Sequence, residues 1–248
     1  MSPVTAEVAA VNRLLASLPA LELEGIRAAL EVRELRHGET LVAPWEPVAE
    51  LYFPTGSIIS IVSETPEGQS VEVATVGREG MVGSAAFLGS AVSPLRTMCQ
   101  IVGPALVGRT ADLVEEDGRS AFRTTVLRYS HTMLVMASVT AACNRLHPLE
   151  QRAARWLLTT SDSMEQSRFT LTHEFFAIML GAHRPSVSLA AQMLQQAGLI
   201  TYHRGQVEIL DRARLTDAAC SCYRTIAEHY EQTMGIRLGG GPDPIGTA

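Results

Sequence analysis

Residues Thr172–Asp211 read THEFFAIMLGAHRPSVSLAAQMLQQAGLITYHRGQVEILD, and this stretch decides the architecture of the chain. Thr172 is a strong N-cap, and Phe175, Phe176, Ile178, Met179 and Leu180 follow at helical spacing. Gly181 ends that helix, because glycine accepts the left-handed backbone of a C-terminal cap. Ala182 and His183 make the turn. A second helix starts near Arg184-Pro185, where proline is tolerated because the first N–H groups of a helix have no partner within it. Val187, Ala190, Ala191 and Leu194 give it a narrow buried stripe, and Gly198 ends it. Leu199 to Tyr202 and Gln206 to Leu210 then alternate as two short strands joined by His203-Arg204-Gly205.

Helix, tight turn, helix and hairpin in that order make a winged helix-turn-helix. Its second helix can lie in a DNA major groove with its N-terminal end near base edges, braced by the first helix. The residues expected to reach double-stranded DNA are His183, Arg184, Ser186 and Ser188, with Leu189 and Gln192 one turn on. Arginine can contact guanine or phosphate, serine either, and glutamine can pair with adenine. Arg204 at the hairpin tip is placed to meet a phosphate. The other reading is a helical hairpin inside an enzyme, but the glycine stops, proline start and hairpin all fall in the order a reading head needs.

The segment resembles the C-terminal DNA-binding domain of the catabolite-activator, or Crp/Fnr-type, transcription regulators. The match runs through Leu180-Gly181, Arg184-Pro185-Ser186-Val187, Leu194, Ala197-Gly198-Leu199-Ile200 and the wing. Two positions depart from the family pattern. Pro185 stands where a glutamate follows the first arginine, and Leu189 where a second arginine lies one turn later. The resemblance implies a sequence-specific DNA-binding regulator that works as a homodimer in the cytoplasm, with RNA polymerase as a further candidate partner. The family's usual operator does not carry over.

The 248-residue chain has 46% hydrophobic and 19% charged residues, as a folded globular protein does. No apolar run reaches the length of a membrane span, so no membrane partner is expected, and the N-terminus does not read as a signal peptide. Four cysteines without paired spacing fit a reduced cytoplasmic protein. The net charge of −6 lies entirely within residues 1–144; residues 145–248 balance to zero and hold five of the seven histidines. Local placement of cations, not total charge, governs phosphate binding. All 20 basic residues are arginine, a bias best explained by a GC-rich genome.

The chain reads as an α+β protein. An N-terminal antiparallel β-barrel of jelly-roll type covers 1–110, a long dimerisation helix 111–146, the winged helix-turn-helix domain 147–235 and a flexible tail 236–248. Ala6 to Leu18 is expected to be one amphipathic helix with Val8, Val11, Leu14, Leu15 and Leu18 on its apolar face, and Leu21 to Val32 a second. Strands follow near Glu34-Leu35, Thr40-Val42, Leu51-Phe53, Ser57-Val62, Ser70-Val76, Thr97-Val102 and Ala105-Val107. The predicted interior is Leu41, Leu51, Phe53, Ile58, Ile61, Val71, Val73, Val76, Ile101 and Leu106.

Val76 to Thr97, VGREGMVGSAAFLGSAVSPLRT, interrupts the strands. Gly83, Ser84 and Ala85 would offer free N–H groups at the start of a helical turn, a ready site for an anion. Arg96 and Thr97 open the next strand and could add a cation and a hydroxyl donor. This resembles the phosphate-binding cassette of cyclic-nucleotide-binding barrels. Ser84 occupies the position of the glutamate that holds the ribose in members binding cyclic AMP. Three readings stand: a cyclic nucleotide, another small effector, or a barrel that keeps its shape without a ligand, with Arg96 simply paired to an acid. No cofactor is assigned.

Asp112, Glu115, Glu116 and Asp117 favour a helix start, and Gly118 marks a break. From Arg119 to about Arg145 one long helix is predicted. Phe122, Val126, Tyr129, Met133, Met136, Thr140 and Cys143 step along it by three and four, widened by Leu134, Val135 and Val139. One flank is expected on the barrel and the other, assigned to Phe122, Val126, Tyr129, Met133, Met136 and Thr140, on the same helix of a second subunit; the alternative is the buried central helix of a monomer. His147-Pro148 makes the hinge. Leu149 to about Met164 and Leu215 to Met234 complete the helices.

Metal and catalytic chemistry find little support. Cys220 and Cys222 on one helix would point apart, a poor chelate, so no metal site is expected. Phosphate loop, nucleophile elbow and HExxH motifs are missing from the sequence, so no catalytic residue is assigned. The alternative of another class is a ligand-sensing or protein-interaction module whose helix-turn-helix does not bind DNA.

Overall fold

The structure is a computed structural model that describes residues 4–90, 92–114 and 120–238. Glu115, Glu116, Asp117, the expected break at Gly118 and residues 239–248 of the expected tail lie outside them; Ile236, expected in that tail, is instead buried in the barrel-side core.

Helices α1 (Ala6–Ala10) and α2 (Arg13–Ala16) replace the single N-terminal helix that apolar spacing predicts. Asn12 is the reason. Its side chain accepts from the Leu15 N–H as the N-cap of α2 and donates to the carbonyls of Pro54 and Gly80. A buried amide with three partners fixes a bend that periodicity does not register. Leu14, Leu15 and Leu18 are buried as expected, but Val8 and Val11 are exposed.

Helix α3 (Ala20–Arg27) leads into β1 (Glu31–Leu35), β2 (Thr40–Val42), β3 (Glu50–Pro54), β4 (Ile58–Glu64), β5 (Ser70–Val76), β6 (Arg96–Ile101) and β7 (Gly103–Arg109). They form two antiparallel sheets, β1-β7-β3 and β2-β6-β4-β5. Leu35, Leu51, Phe53 and Leu106 from one sheet and Val42, Ile59, Val76 and Cys99 from the other share one core.

The predicted interior needs correction on the second sheet. Ile58 and Ile101 are buried on its opposite face, in the core of the C-terminal half. Val71 and Val73 are only half-buried, while Leu41 and Ile61 are half-buried against the inner core. Two causes combine. Both faces of this sheet are covered, so alternation no longer separates inside from outside. Register shifts at Ile58/Ile59 and Ile61/Val62 also break the two-residue period.

Helix α4 (Thr110–Val114) precedes α5 (Ser120–Leu146), 27 residues long and hence about 40 Å. Phe122, Val126, Tyr129 and Met136 are buried within their own chain. The Phe122 ring lies 6.2 Å from Phe53 and 5.4 Å from Phe87. These four therefore belong to the barrel-side core and not to a subunit interface. Met133, half-buried, packs on the same core, and Thr140 is half-buried. The most apolar flank of the helix goes to the nearest apolar surface, which is the chain's own. Among the described residues no helix is long and apolar enough to cross a membrane.

Helix α6 (Leu149–Met164), β8 (Arg168–Thr170), α7 (His173–Leu180), α8 (Arg184–Gln196), β9 (Ile200–His203) and β10 (Gln206–Ile209) make the winged helix-turn-helix, with its sheet in the order β8-β10-β9. The closing helix is in fact two, α9 (Arg212–Ala218) and α10 (Cys222–Met234). Ala219 between them is extended, at φ −77° and ψ 154°. Cys220 and Cys222 thus do not share one helix, and the geometric objection to their acting together falls. Helix α10 turns back along α5, and Ile226, Tyr230 and Met234 join the barrel-side core.

The two halves meet at a buried carboxylate. Glu72 of β5 accepts from the Trp156 indole N–H of α6 at 2.9 Å, from Thr75 at 2.8 Å and from Ser60 at 2.6 Å. Burial pushes its carboxyl above the ordinary 4.5, outweighing these hydrogen bonds and the nearby Arg155. The folded chain therefore keeps a proton that the unfolded chain releases. The stability this contributes is full below the unfolded value and is lost as pH rises through the folded one. Glu72→Gln keeps an acceptor for Trp156 and removes the titration. Melting curves from mildly acidic to mildly alkaline buffer should flatten in that variant. Trp156→Phe, which leaves the carboxyl short of a donor, should cost roughly 1–3 kcal/mol at neutral pH.

Candidate nucleic-acid interface

Local chemistry builds the reading head. Thr172 caps α7 by accepting from the Phe175 N–H at 3.1 Å. Gly181 closes the helix at φ +54°, and Arg152 from α6 donates to the Leu180 carbonyl just before it. His183 is the N-cap of α8, with Pro185 in its first turn. Val187, Ala190, Ala191 and Leu194 are buried, as their spacing predicts.

The exposed side of α8 carries His183, Arg184, Ser186, Leu189, Gln192 and Met193. No acid lies anywhere on this helix. Ser188 differs from its predicted neighbours: it is half-buried, and its hydroxyl lies 2.7 Å from Nδ1 of His173. The His173 ring stacks on Tyr202 of the wing with centroids 4.3 Å apart. Tyr202 in turn donates its hydroxyl to the Leu171 carbonyl and its N–H to the Gln195 side chain. One histidine thus ties α7, α8 and the wing together. Burial first, and the charge of Arg184 second, hold its pKa below the ordinary 6.5, so the neutral ring is favoured at neutral pH.

Arg204 stands at the wing tip with φ +48°, followed by Gly205 at φ +75°. Two positive φ values in a two-residue hairpin loop make the turn whose twist suits the strands. A non-glycine residue in that region costs about 1–2 kcal/mol, so the turn holds a cation at its tip at the expense of strain. Arg184 and Arg204 are both exposed, and neither is ion-paired among the described residues. An open cleft of about 760 Å³ runs from the β4–β5 hairpin, at Thr65, Gln69 and Val71, to Glu174, His183 and Arg184 at the reading end.

The predicted effector residues are arranged differently. Gly83 has φ +98°, and a Cβ there would come within 2.5 Å of Leu51. Ser84–Leu88 form a single 3-10 turn, with Ser84 and Ala85 half-buried. Arg96 is ion-paired to Glu64 of β4 at 2.6 Å. Thr97 is buried and alternates with Arg96 across β6, on the side of Cys99. No hydrogen bond among the described residues joins Gly83, Ser84 or Ala85 to Arg96 or Thr97.

Sequence reasoning missed Met193 and the organising role of His173. Met193 lies four residues after Leu189, a spacing visible in the sequence. The contact of His173 with Ser188, 15 residues on, has no local signature.

Residues 151–218 match the Crp-like helix-turn-helix domain family. No curated protein sequence matches the chain. Among solved structures it is similar to a CRP-family transcriptional regulator from Thermus thermophilus, at 21% identity and TM-score 0.63, covering 84% of this chain and 100% of that one. A c-di-GMP responsive global regulator from Xanthomonas campestris has 16% identity and TM-score 0.63, covering 78% and 100%. A structure described as a putative cAMP-binding regulatory protein from Silicibacter pomeroyi has 23% identity and TM-score 0.61, covering 87% and 98%. At these identities the likeness concerns the fold: a β-rich N-terminal part, a long helix and a C-terminal helix-turn-helix.

His173→Ala removes the Ser188 hydrogen bond and the Tyr202 stack, and should lower head stability by roughly 1–2 kcal/mol. A pKa held down in the fold contributes stability that is complete above the unfolded value and is lost as pH falls through the folded one. Acid melting curves should therefore show less loss for the variant than for the parent.

Proposed function

From a chain that has the Crp/Fnr-type fold and carries a Crp-like helix-turn-helix domain at 151–218, we infer that it is a sequence-specific DNA-binding transcription regulator acting as a homodimer. The observation that carries this reading is the exposed, acid-free face of α8 beside a wing tipped by an exposed arginine. Arg184 is assigned a guanine or phosphate, Ser186 and His183 flanking phosphates, and Gln192 an adenine edge. Leu189 and Met193, 59% and 47% exposed, suit thymine methyl groups, a use for apolar side chains that a solvent-facing helix otherwise lacks. Arg204 is assigned a phosphate. Ser188, held by His173, acts by setting the pitch of the helix.

The dimer seam moves to the side of α5 that its own barrel leaves uncovered. Leu127 and Leu134 are 41% and 65% exposed, and Ala141, also exposed, continues them at seven-residue intervals. That spacing keeps the three on one helix face, and two-fold pairing there would set two reading heads on successive major grooves.

Control by a cyclic nucleotide at Gly83, Ser84, Ala85, Arg96 and Thr97 is disfavoured by the ion pair. A phosphate would have to displace Glu64 from Arg96, and Ser84 offers no carboxylate to a ribose. The barrel is read instead as a scaffold, or as a sensor of another small effector.

Genomic fragments selected by the purified protein should yield a palindromic site, enriched equally with and without cyclic AMP. Arg184→Ala should lose about 1–3 kcal/mol of discrimination on that site by fluorescence anisotropy. An unchanged base preference would remove Arg184 from the reading. Loss of the salt dependence of DNA retention would favour a module that does not bind DNA, since phosphate contacts release counterions. Leu134→Arg should convert the dimer to a monomer by light scattering and weaken binding to the palindrome more than to a half-site.

A further inference from the structure

Four residues from distant parts of the chain meet where α5 ends. Cys143 and His147 lie one helical turn apart there, and the His147 N–H still donates to the Cys143 carbonyl at 3.1 Å. Their side chains therefore share a face. Cys220 lies in the break between α9 and α10, and Cys222 opens α10. The Cys143 and Cys220 sulfurs are 3.4 Å apart, and the Cys222 sulfur is 3.6 Å from Nδ1 of His147. One donor atom from each residue lies within 4.8 Å of every other, and all three thiols are buried.

Donors at the corners of a tetrahedron about a divalent ion, with metal–sulfur bonds of about 2.3 Å, stand roughly 3.8 Å apart. Both measured edges are within a few tenths of an ångström of that value. A disulfide needs its sulfurs at about 2.05 Å and would leave the third thiol and the imidazole unused. An iron–sulfur cluster spreads its protein ligands over more than one metal centre, whereas these four donors surround room for one ion. Three thiols and an imidazole favour a zinc-class cation over magnesium or calcium, which prefer oxygen.

The surroundings balance the charge. Three thiolates, one neutral imidazole and a divalent cation sum to one negative charge. Arg155 of α6 is buried, its Nε has no hydrogen-bond partner among the described residues, and its charge acts on all three sulfurs. A buried cation beside a buried anionic centre compensates it.

We propose that Cys143, His147, Cys220 and Cys222 form a Cys3His site for one zinc-class divalent cation, which clasps the end of α5 to the start of α10. The clasp sits beside Pro148, where the chain turns from the long helix into α6 and the reading head, and so fixes the angle of that turn.

The test uses the full chain purified with a non-thiol reductant. Elemental analysis should find about one zinc ion per chain that survives gel filtration. Cys143→Ser and Cys222→Ser should each lose it at least about tenfold, while Cys99→Ser, at a thiol buried in the barrel, retains it. Cobalt(II) added to the chelator-treated parent should give thiolate charge-transfer absorption and the intense bands of a tetrahedral ion, a readout that does not depend on the variants folding. Chelation should lower the melting temperature of the parent and leave Cys143→Ser unchanged. The proposal is overturned by a chain with no bound metal and no tetrahedral cobalt spectrum, by iron with inorganic sulfide, or by a Cys143–Cys220 disulfide in non-reducing peptide maps.

Discussion

The hydrogen bond from Trp156 to Glu72 is the constraint on which the arrangement of the two halves rests. It crosses from the first helix of the reading half to a strand of the barrel, and both groups are buried. An indole N–H and a carboxyl taken out of water must find each other, because neither has solvent to turn to. Around this bond the sheet β2-β6-β4-β5 contributes Ile58 and Ile101 to the core that holds Trp156 and Phe176. The sheet therefore has a core on each side, and the head is seated on it by packing as well as by the polar bond.

Much of this was legible in the sequence because its signals are local. Gly181, Pro185, Gly198 and the His203-Arg204-Gly205 turn each impose a backbone conformation on their immediate neighbourhood, and the helix-turn-helix and wing follow. The seven strands were legible for the same reason. What periodicity could not settle was allegiance. The stripe from Phe122 to Met136 is apolar whether it meets a second subunit or its own barrel, and only the three-dimensional proximity of Phe53 and Phe87 decides for the barrel. Ile58 and Ile101 were misplaced on the same ground: a strand covered on both sides carries no polar face to mark the outside.

Polar side chains with long-range partners formed the second blind spot. Asn12 reaches Pro54 and Gly80, and His173 reaches Ser188 and Tyr202. Each fixes the direction of an element, yet neither contact has a fixed sequence spacing. At the candidate site this matters most for Ser188, whose hydroxyl meets His173 although His183, Arg184, Ser186 and Gln192, expected to read DNA with it, are exposed. The cysteines repeat the lesson: two of them sit two residues apart, but the extended backbone at Ala219, not the spacing, determines where their sulfurs point.

Helix α10 lies far along the chain yet packs into the first core. Ile226, Tyr230 and Met234 share that core with Phe122, Val126 and Tyr129 of α5 and with Leu14 and Leu15. During synthesis the strands, α5 and the whole reading head leave the ribosome before α10 does. The barrel-side core therefore waits with an open apolar flank while the head, whose core draws on its own segment and on Ile58 and Ile101 of strands already made, can already close. The order of folding on the ribosome is thereby partly inverted relative to the order of the chain: the head can be finished first, and the half made earlier is sealed by α10, which emerges after it.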